Sequence, residues 1–250
     1  MNIDKCCVSG FAWNGTPSGL TATVPGTSIP SYVAGDNPSA ALLMIHDLLG
    51  WTFPNARLLA DHYAKEGNVT VYLPDFYSGE VLPFEPILAE RWAEVDLKGF
   101  MERNGRDKRE PAIFECAKAL RRKYENVGAV GFCYGGWAVC RLGSLKTGND
   151  DNPLLSYGIM AHPSLVTKED ISGVDIPMLV LAPEHDRPYN AELKMHTFET
   201  FQKRGIYFNF VYFPGVYHGG LVRGDEEKPG EREAMIRAKN AVTAWVTQFT

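Results

Sequence analysis

The segment Gly131-Phe132-Cys133-Tyr134-Gly135, followed by Gly136, has the spacing of a nucleophile elbow, G-x-S-x-G, with cysteine at the centre where serine usually stands. Such an elbow holds its central side chain on a strained strand-to-helix turn, and the flanking glycines remove Cβ atoms that would clash there. A thiol at that apex is expected to be exposed and aimed and, as thiolate, to attack carbonyl carbon. The flanks fit: 127–130 is a short apolar run, and 137–142 reads as helix. The competing reading is a glycine-rich turn with a small buried cysteine at its tip.

A cysteine nucleophile needs a base to take its proton and later protonate the leaving group, and the base needs an orienting carboxylate. Both follow in the chain. The apolar run 178–181 leads into Ala182-Pro183-Glu184-His185-Asp186, and 208–212 leads into a loop that reaches His218-Gly219-Gly220. Nucleophile, acid and histidine in that order, each behind its own strand, is the α/β-hydrolase arrangement, and open α/β sheets place their sites at the carboxyl ends of strands. Cys133, Asp186 and His218 are therefore the candidate catalytic residues. Glu184 competes with Asp186, which lies further along its loop toward a pocket. His46 and His162 also follow strands but do not fit the order, so they read as pocket-wall or structural residues, while His62 and His196 fall inside helices and His185 stands beside the acid. Three consecutive side chains, Glu184-His185-Asp186, do not all converge on one ion from a regular backbone, so no metal or other cofactor is expected. An oxyanion hole would combine the amide of Tyr134, next after the cysteine, with one from the loop His46-Asp47-Leu48-Leu49-Gly50-Trp51, where Leu48 is the natural donor.

The elements that must hold these residues are apolar runs of strand length at 41–45, 69–73, 127–130, 157–160, 178–181 and 208–212, too apolar for half-exposed strands. They alternate with helical stretches at 55–65, 110–124, 191–204 and 232–249, with Pro54 and Pro111 placed for first helical turns. The pattern predicts an α/β fold whose mainly parallel sheet is covered by helices on both faces. Residues 10–36, rich in Gly, Pro, Ser and Thr, read as an initial hairpin at the sheet edge. Residues 75–109 exceed what a simple connection needs; they read as a lid or pocket wall, or a surface excursion, ending in a helix over 87–103.

A chain of 250 residues with no linker and no internal repeat is expected to form one α/β domain over 1–250. A formal net charge of −5 and the lack of any Lys/Arg block argue against nucleic acid. Neither an apolar leader nor a membrane-spanning run is visible, and the five cysteines are odd in number and irregularly spaced, so a soluble, cytoplasmic protein is expected. Adjacent Cys6-Cys7 lack a second Cys/His pair at metal-ligand spacing and read as ordinary thiols.

Asp47-Leu-Leu-Gly-Trp51, then Pro54-Asn55 and Arg57, Pro74-Asp75-Phe76, the cysteine elbow and His218-Gly219 resemble the dienelactone hydrolase (carboxymethylenebutenolidase) family, particularly its eukaryotic branch, along nearly the whole chain. The resemblance implies an α/β-hydrolase fold with a sheet of about eight strands. It implies a Cys133-Asp186-His218 triad without a cofactor, acting on a small ester or lactone. Asp47 stands where bacterial members carry glutamate, and a carboxylate near a thiol disfavours thiolate, so Asp47 is expected to modulate Cys133 until substrate displaces it. By the same resemblance Arg91 and Arg223 are candidates to hold a substrate carboxylate, with ordinary surface arginines as the alternative. Whether the protein is a monomer or a homodimer is left open.

Overall fold

A computed structural model of the chain describes residues 12–88, 91–148 and 151–250; Cys6-Cys7 lie outside the described residues. The central strands are β3 (Ala40–Ile45), β4 (Thr70–Pro74), β5 (Asn126–Phe132), β6 (Tyr157–Ala161), β7 (Met178–His185) and β8 (Phe208–Tyr217). Every residue of β3, β4 and β6 is buried, which only an uninterrupted apolar run allows when helices cover both faces. The six strands are parallel, and an edge hairpin of β1 (Leu20–Thr23) and β2 (Pro30–Ala34) joins β4 antiparallel, giving an eight-stranded sheet in the order β1-β2-β4-β3-β5-β6-β7-β8.

The two-residue period of a strand divides the core into two layers. Leu42 and Met44 of β3 pack on one face with α1 (Pro54–Gly67) and α9 (Glu231–Val246), through Leu59, Tyr63, Val242 and Trp245. Leu43 and Ile45 point to the other face, against Ile113 and Leu120 of α4 (Arg106–Lys123) and Trp137 and Val139 of α5 (Gly135–Leu142). Pro54 opens α1 at a position where its missing N–H has no helical partner.

Three local expectations are corrected. Pro111 does not sit in a first turn but is the sixth residue of α4, because the helix extends back to Arg106. The helix expected over 87–103 is two short helices, α2 (Phe84–Leu88) and α3 (Leu97–Arg103), with a 3-10 turn at Trp92–Glu94; the Asp96 side chain accepts from Gly99 N at 2.9 Å and so starts α3 afresh. Finally, β8 is half exposed, since it is the last strand of the sheet and only one of its edges is paired.

The stretch 75–109 packs against the elbow. Tyr77 meets Tyr134 edge-on at 5.3 Å and Phe100 at 4.9 Å, while Leu82 and Ile87 are buried in the same cluster. Arg109 ties its ends together, donating from Nη1 to Ser78 Oγ (2.7 Å) and from Nε to Asn104 Oδ1 (2.9 Å).

Candidate active site

Cys133 follows β5 with φ of 48°, the left-handed region that costs a side-chain-bearing residue energy unless its surroundings enforce it. Those surroundings are dense: Cys133 N donates to Ala161 O (3.1 Å), and its carbonyl accepts from Gly136 N (3.0 Å) and Ser164 N (2.7 Å). The glycine pattern has a steric cause. A Cβ on Gly131 would lie 2.2 Å from Gly135 O, and one on Gly135 would lie 2.3 Å from Ile45 O, so β5, the elbow and the end of β3 meet backbone to backbone. Gly136 is crowded in the same way, by Pro163 at 2.3 Å.

Asp186 and His218 meet because of sheet register. Parallel β7 and β8 pair His185 with Tyr217, and His218 N donates to His185 O at 3.0 Å, so the next residue on each strand leaves the sheet beside the other. His218 Nδ1 lies 2.8 Å from Asp186 Oδ1, and since a carboxylate only accepts, Nδ1 carries the proton. Tyr189 N donates to the same oxygen (2.9 Å) and holds the carboxylate in place. His218 Nε2 then faces Cys133 Sγ at 3.1 Å. All three residues are buried, which corrects the expectation of an exposed thiol: Cys133 is aimed at His218 beneath the surface. Glu184, the rival acid, is exposed and accepts from Gly215 N (2.7 Å), away from the histidine.

Two residues of this cluster are not singled out by sequence. Ser164 places its hydroxyl 3.3 Å from both Cys133 Sγ and His218 Nε2. Tyr77 meets His46, Phe100 and Tyr134 edge-on, and its phenol is held well above its ordinary pKa by burial, with the charges of Tyr134, Asp47 and Cys133 adding to the effect. The only sequence signal for Ser164 is its place just after β6, at the carboxyl end of the sheet where the other site residues gather.

Leu48 and Tyr134 are both buried, Tyr134 as the cap of α5 with its hydroxyl donating to Asn104 O (2.8 Å). The loop carrying Leu48 is rigid: Asp47 O accepts from Gly50 N (3.2 Å) and Tyr77 Oη (3.3 Å), and Asp47 Oδ1 accepts from Leu49 N (2.9 Å). His46 secures its start. Its Nδ1 lies 2.8 Å from Asp47 O, its Nε2 accepts from Phe76 N at 3.4 Å, and burial lowers its pKa from 6.5 to about 4, so the ring is neutral, as a structural residue requires. His162 packs its ring edge-on against that of His218, at 5.1 Å.

The arginine expectations fare differently. Arg223, at the end of α8 (Gly220–Arg223), is buried with Nε 2.8 Å from Asp47 Oδ2, so in this state it holds Asp47 rather than facing an open carboxylate site. The same ion pair offsets the negative charge that Asp47 was expected to bring to bear on the thiol. Arg91 is exposed and paired with Glu85 and, at 2.7 Å, with Glu94. Two acidic partners at the surface match the alternative reading of Arg91 as a solvated surface arginine.

A mainly parallel eight-stranded sheet carrying an elbow after one strand, and an acid and a histidine after two later ones, defines an α/β hydrolase. Solved structures share this fold. A putative dienelactone hydrolase from Klebsiella pneumoniae superposes with a TM-score of 0.68 at 16% identity, covering 93% of this chain and 99% of that one. Carboxyl esterase 2 of the fungus Tuber melanosporum superposes with a TM-score of 0.60 at 14% identity, covering 97% and 90%. A model of the dienelactone hydrolase family matches residues 29–250, and the chain belongs to that family of hydrolases. Among its relatives, hydrolase tropI of Talaromyces stipitatus is 29% identical, covering 98% of this chain and 96% of that protein. The human carboxymethylenebutenolidase homolog is 27% identical over 92% of each. Among the described residues no helix is long and apolar enough to cross a membrane, and no cluster of three or more His, Cys, Asp or Glu is placed to hold a metal ion.

Proposed function

We propose that this hydrolase opens a small ester or lactone through a covalent thioester on Cys133, with His218 as general base and acid and Asp186 as its orienting group. The observation that carries the reading is the continuous relay from Asp186 Oδ1 to His218 Nδ1 (2.8 Å) and from His218 Nε2 to Cys133 Sγ (3.1 Å). His218 takes the thiol proton and the sulfur attacks the carbonyl carbon, forming a C–S bond and an oxyanion stabilised by the Leu48 and Tyr134 amides. As the C–O bond breaks, His218 returns the proton to the leaving oxygen. Water then gives a proton to His218 and attacks the thioester; the C–S bond breaks, the acid product leaves and the thiol is restored.

The names of the relatives, dienelactone hydrolases and carboxymethylenebutenolidase homologs among them, support a lactone bearing a carboxylate as the substrate class. Such an anion would compete with Asp47 for Arg223, the buried arginine that pairs with it at 2.8 Å. Acyl transfer to an acceptor other than water would use the same residues. The test is hydrolysis of p-nitrophenyl acetate by wild type beside Cys133→Ala. Loss of turnover in the variant is the expected result; equal rates would leave a ligand-binding protein on a hydrolase scaffold as the reading.

A further inference from the structure

Ser164 completes a triangle with the two reacting atoms: Oγ is 3.3 Å from Cys133 Sγ and 3.3 Å from His218 Nε2, while those two lie 3.1 Å apart. Its delivery is over-determined. Ser164 N donates to the carbonyl of Cys133 itself at 2.7 Å, which ties the loop after β6 directly to the elbow. His162 (φ 38°) and Leu165 (φ 60°) bracket it, both in the left-handed region that residues with side chains avoid. Backbone strain of this kind persists where surrounding structure enforces it, and it clusters at functional sites. Ser164 is 4% exposed, so water does not take over these contacts.

We infer that Ser164 is a positioning residue that favours the thiolate–imidazolium pair over the neutral thiol–imidazole pair, an inference that rests on Cys133 and His218 being nucleophile and base. A hydroxyl has one donor and two acceptor lone pairs. With Nδ1–H held by Asp186, the neutral His218 ring offers one lone pair, at Nε2, and the thiol proton occupies it. Once the proton has moved, Nε2–H points into the gap between Sγ and Oγ. The serine then accepts from the imidazolium with a lone pair and donates its own proton to the thiolate. Both contacts are charge-assisted in that state and neither is in the neutral one, and charge-assisted hydrogen bonds are about twice as strong as neutral ones.

Other titratable groups surround the thiol: Asp186 behind His218, His162 edge-on to His218, Tyr77, Tyr134, and the Asp47–Arg223 pair. Replacing Ser164 changes the charge of none of them, so a shift in thiol ionisation reports the hydroxyl. The experiment is the rate of iodoacetamide alkylation against pH, read by mass spectrometry on the peptide carrying Cys133, for wild type, Ser164→Ala, Ser164→Thr and Ser164→Val. Thr and Val have nearly the same volume and differ by the hydroxyl, which separates its effect from that of packing, and thermal melts establish that each variant is folded.

Ser164→Ala is expected to raise the midpoint of the profile by about one pH unit and to slow alkylation near neutral pH about tenfold. Thr is expected to lie nearer wild type, and Val nearer Ala. Coincident Thr and Val profiles, or an Ala midpoint equal to that of wild type, overturn the inference. Neither result touches the hydrolase reading, which stands or falls with p-nitrophenyl acetate turnover in Cys133→Ala.

Discussion

His46 makes the stability of this protein depend on acidity in a way that one substitution removes. Its ring is buried at the mouth of the loop that carries Asp47 and Leu48, with Nδ1–H donating to Asp47 O (2.8 Å) and Nε2 accepting from Phe76 N (3.4 Å). Protonating Nε2 would set two N–H groups face to face in a buried site. Desolvation accordingly lowers the pKa from 6.5 to about 4, partly offset by the bond to Asp47. A group with a depressed folded pKa contributes its full stability above the unfolded pKa and loses it as pH falls toward the folded one, because the unfolded chain binds the proton first. Here the window runs from 6.5 down to about 4. The difference corresponds to roughly 3 kcal/mol in all, most of it lost by about pH 4.5. His46→Gln keeps one donor and one acceptor but does not titrate. Urea unfolding of wild type and variant at about pH 7.5 and about pH 4.5 should show the wild type losing roughly 2 to 3 kcal/mol more than the variant over that interval. Equal losses in the two proteins would refute the assignment of a buried, neutral His46.

Three further outcomes follow from the site. Asp186→Asn keeps the shape of the relay but offers an amide where His218 Nδ1–H needs an acceptor with charge; kcat for p-nitrophenyl acetate should fall by about two to four orders of magnitude, with KM little changed. Gly135→Ala drives a Cβ to 2.3 Å from Ile45 O, backbone that has nowhere to go, and should destabilise the protein by about 1–3 kcal/mol or more while lowering activity out of proportion, as urea titration beside the ester assay will show. Arg223→Met leaves Asp47 buried without its cation and should cost about 3–5 kcal/mol in urea titrations, whereas adding Asp47→Asn should recover part of that loss; a double variant no more stable than the single one would mean the pair is not coupled.

Much of the molecule is legible in the chain itself. Uninterrupted apolar runs dictated buried parallel strands, and β3 and β6 appear within a residue of where the runs lie, since no other element lets such stretches avoid water on both sides. The edge position of β8 was not legible, because Phe208, Phe210 and Tyr212 read as apolar whether or not a further strand covers them. Pro111 misled for a related reason: local rules place proline in a first turn, but the helix begins four residues earlier than expected, at Arg106, which donates to both Asp170 oxygens at 2.8 Å.

The site divides along the same line. Residue type and order along the chain were enough to single out Cys133, Asp186 and His218, and the glycines of the elbow announced a crowded turn, because these properties belong to local sequence and strand succession. Tertiary structure supplied the reason that Asp186 rather than Glu184 meets the histidine: the register pairs His185 with Tyr217 and leaves Glu184 exposed on Gly215 N. It alone joined Asp47, on the loop after β3, to Arg223, at the end of α8. It alone brought Ser164 to the sulfur, since a lone serine after a strand carries no signal until the Cys133 carbonyl and the Ser164 amide are seen to bond. Spacing along a chain constrains what one strand or turn can do; which side chains share a buried space is set by how separate strands are aligned.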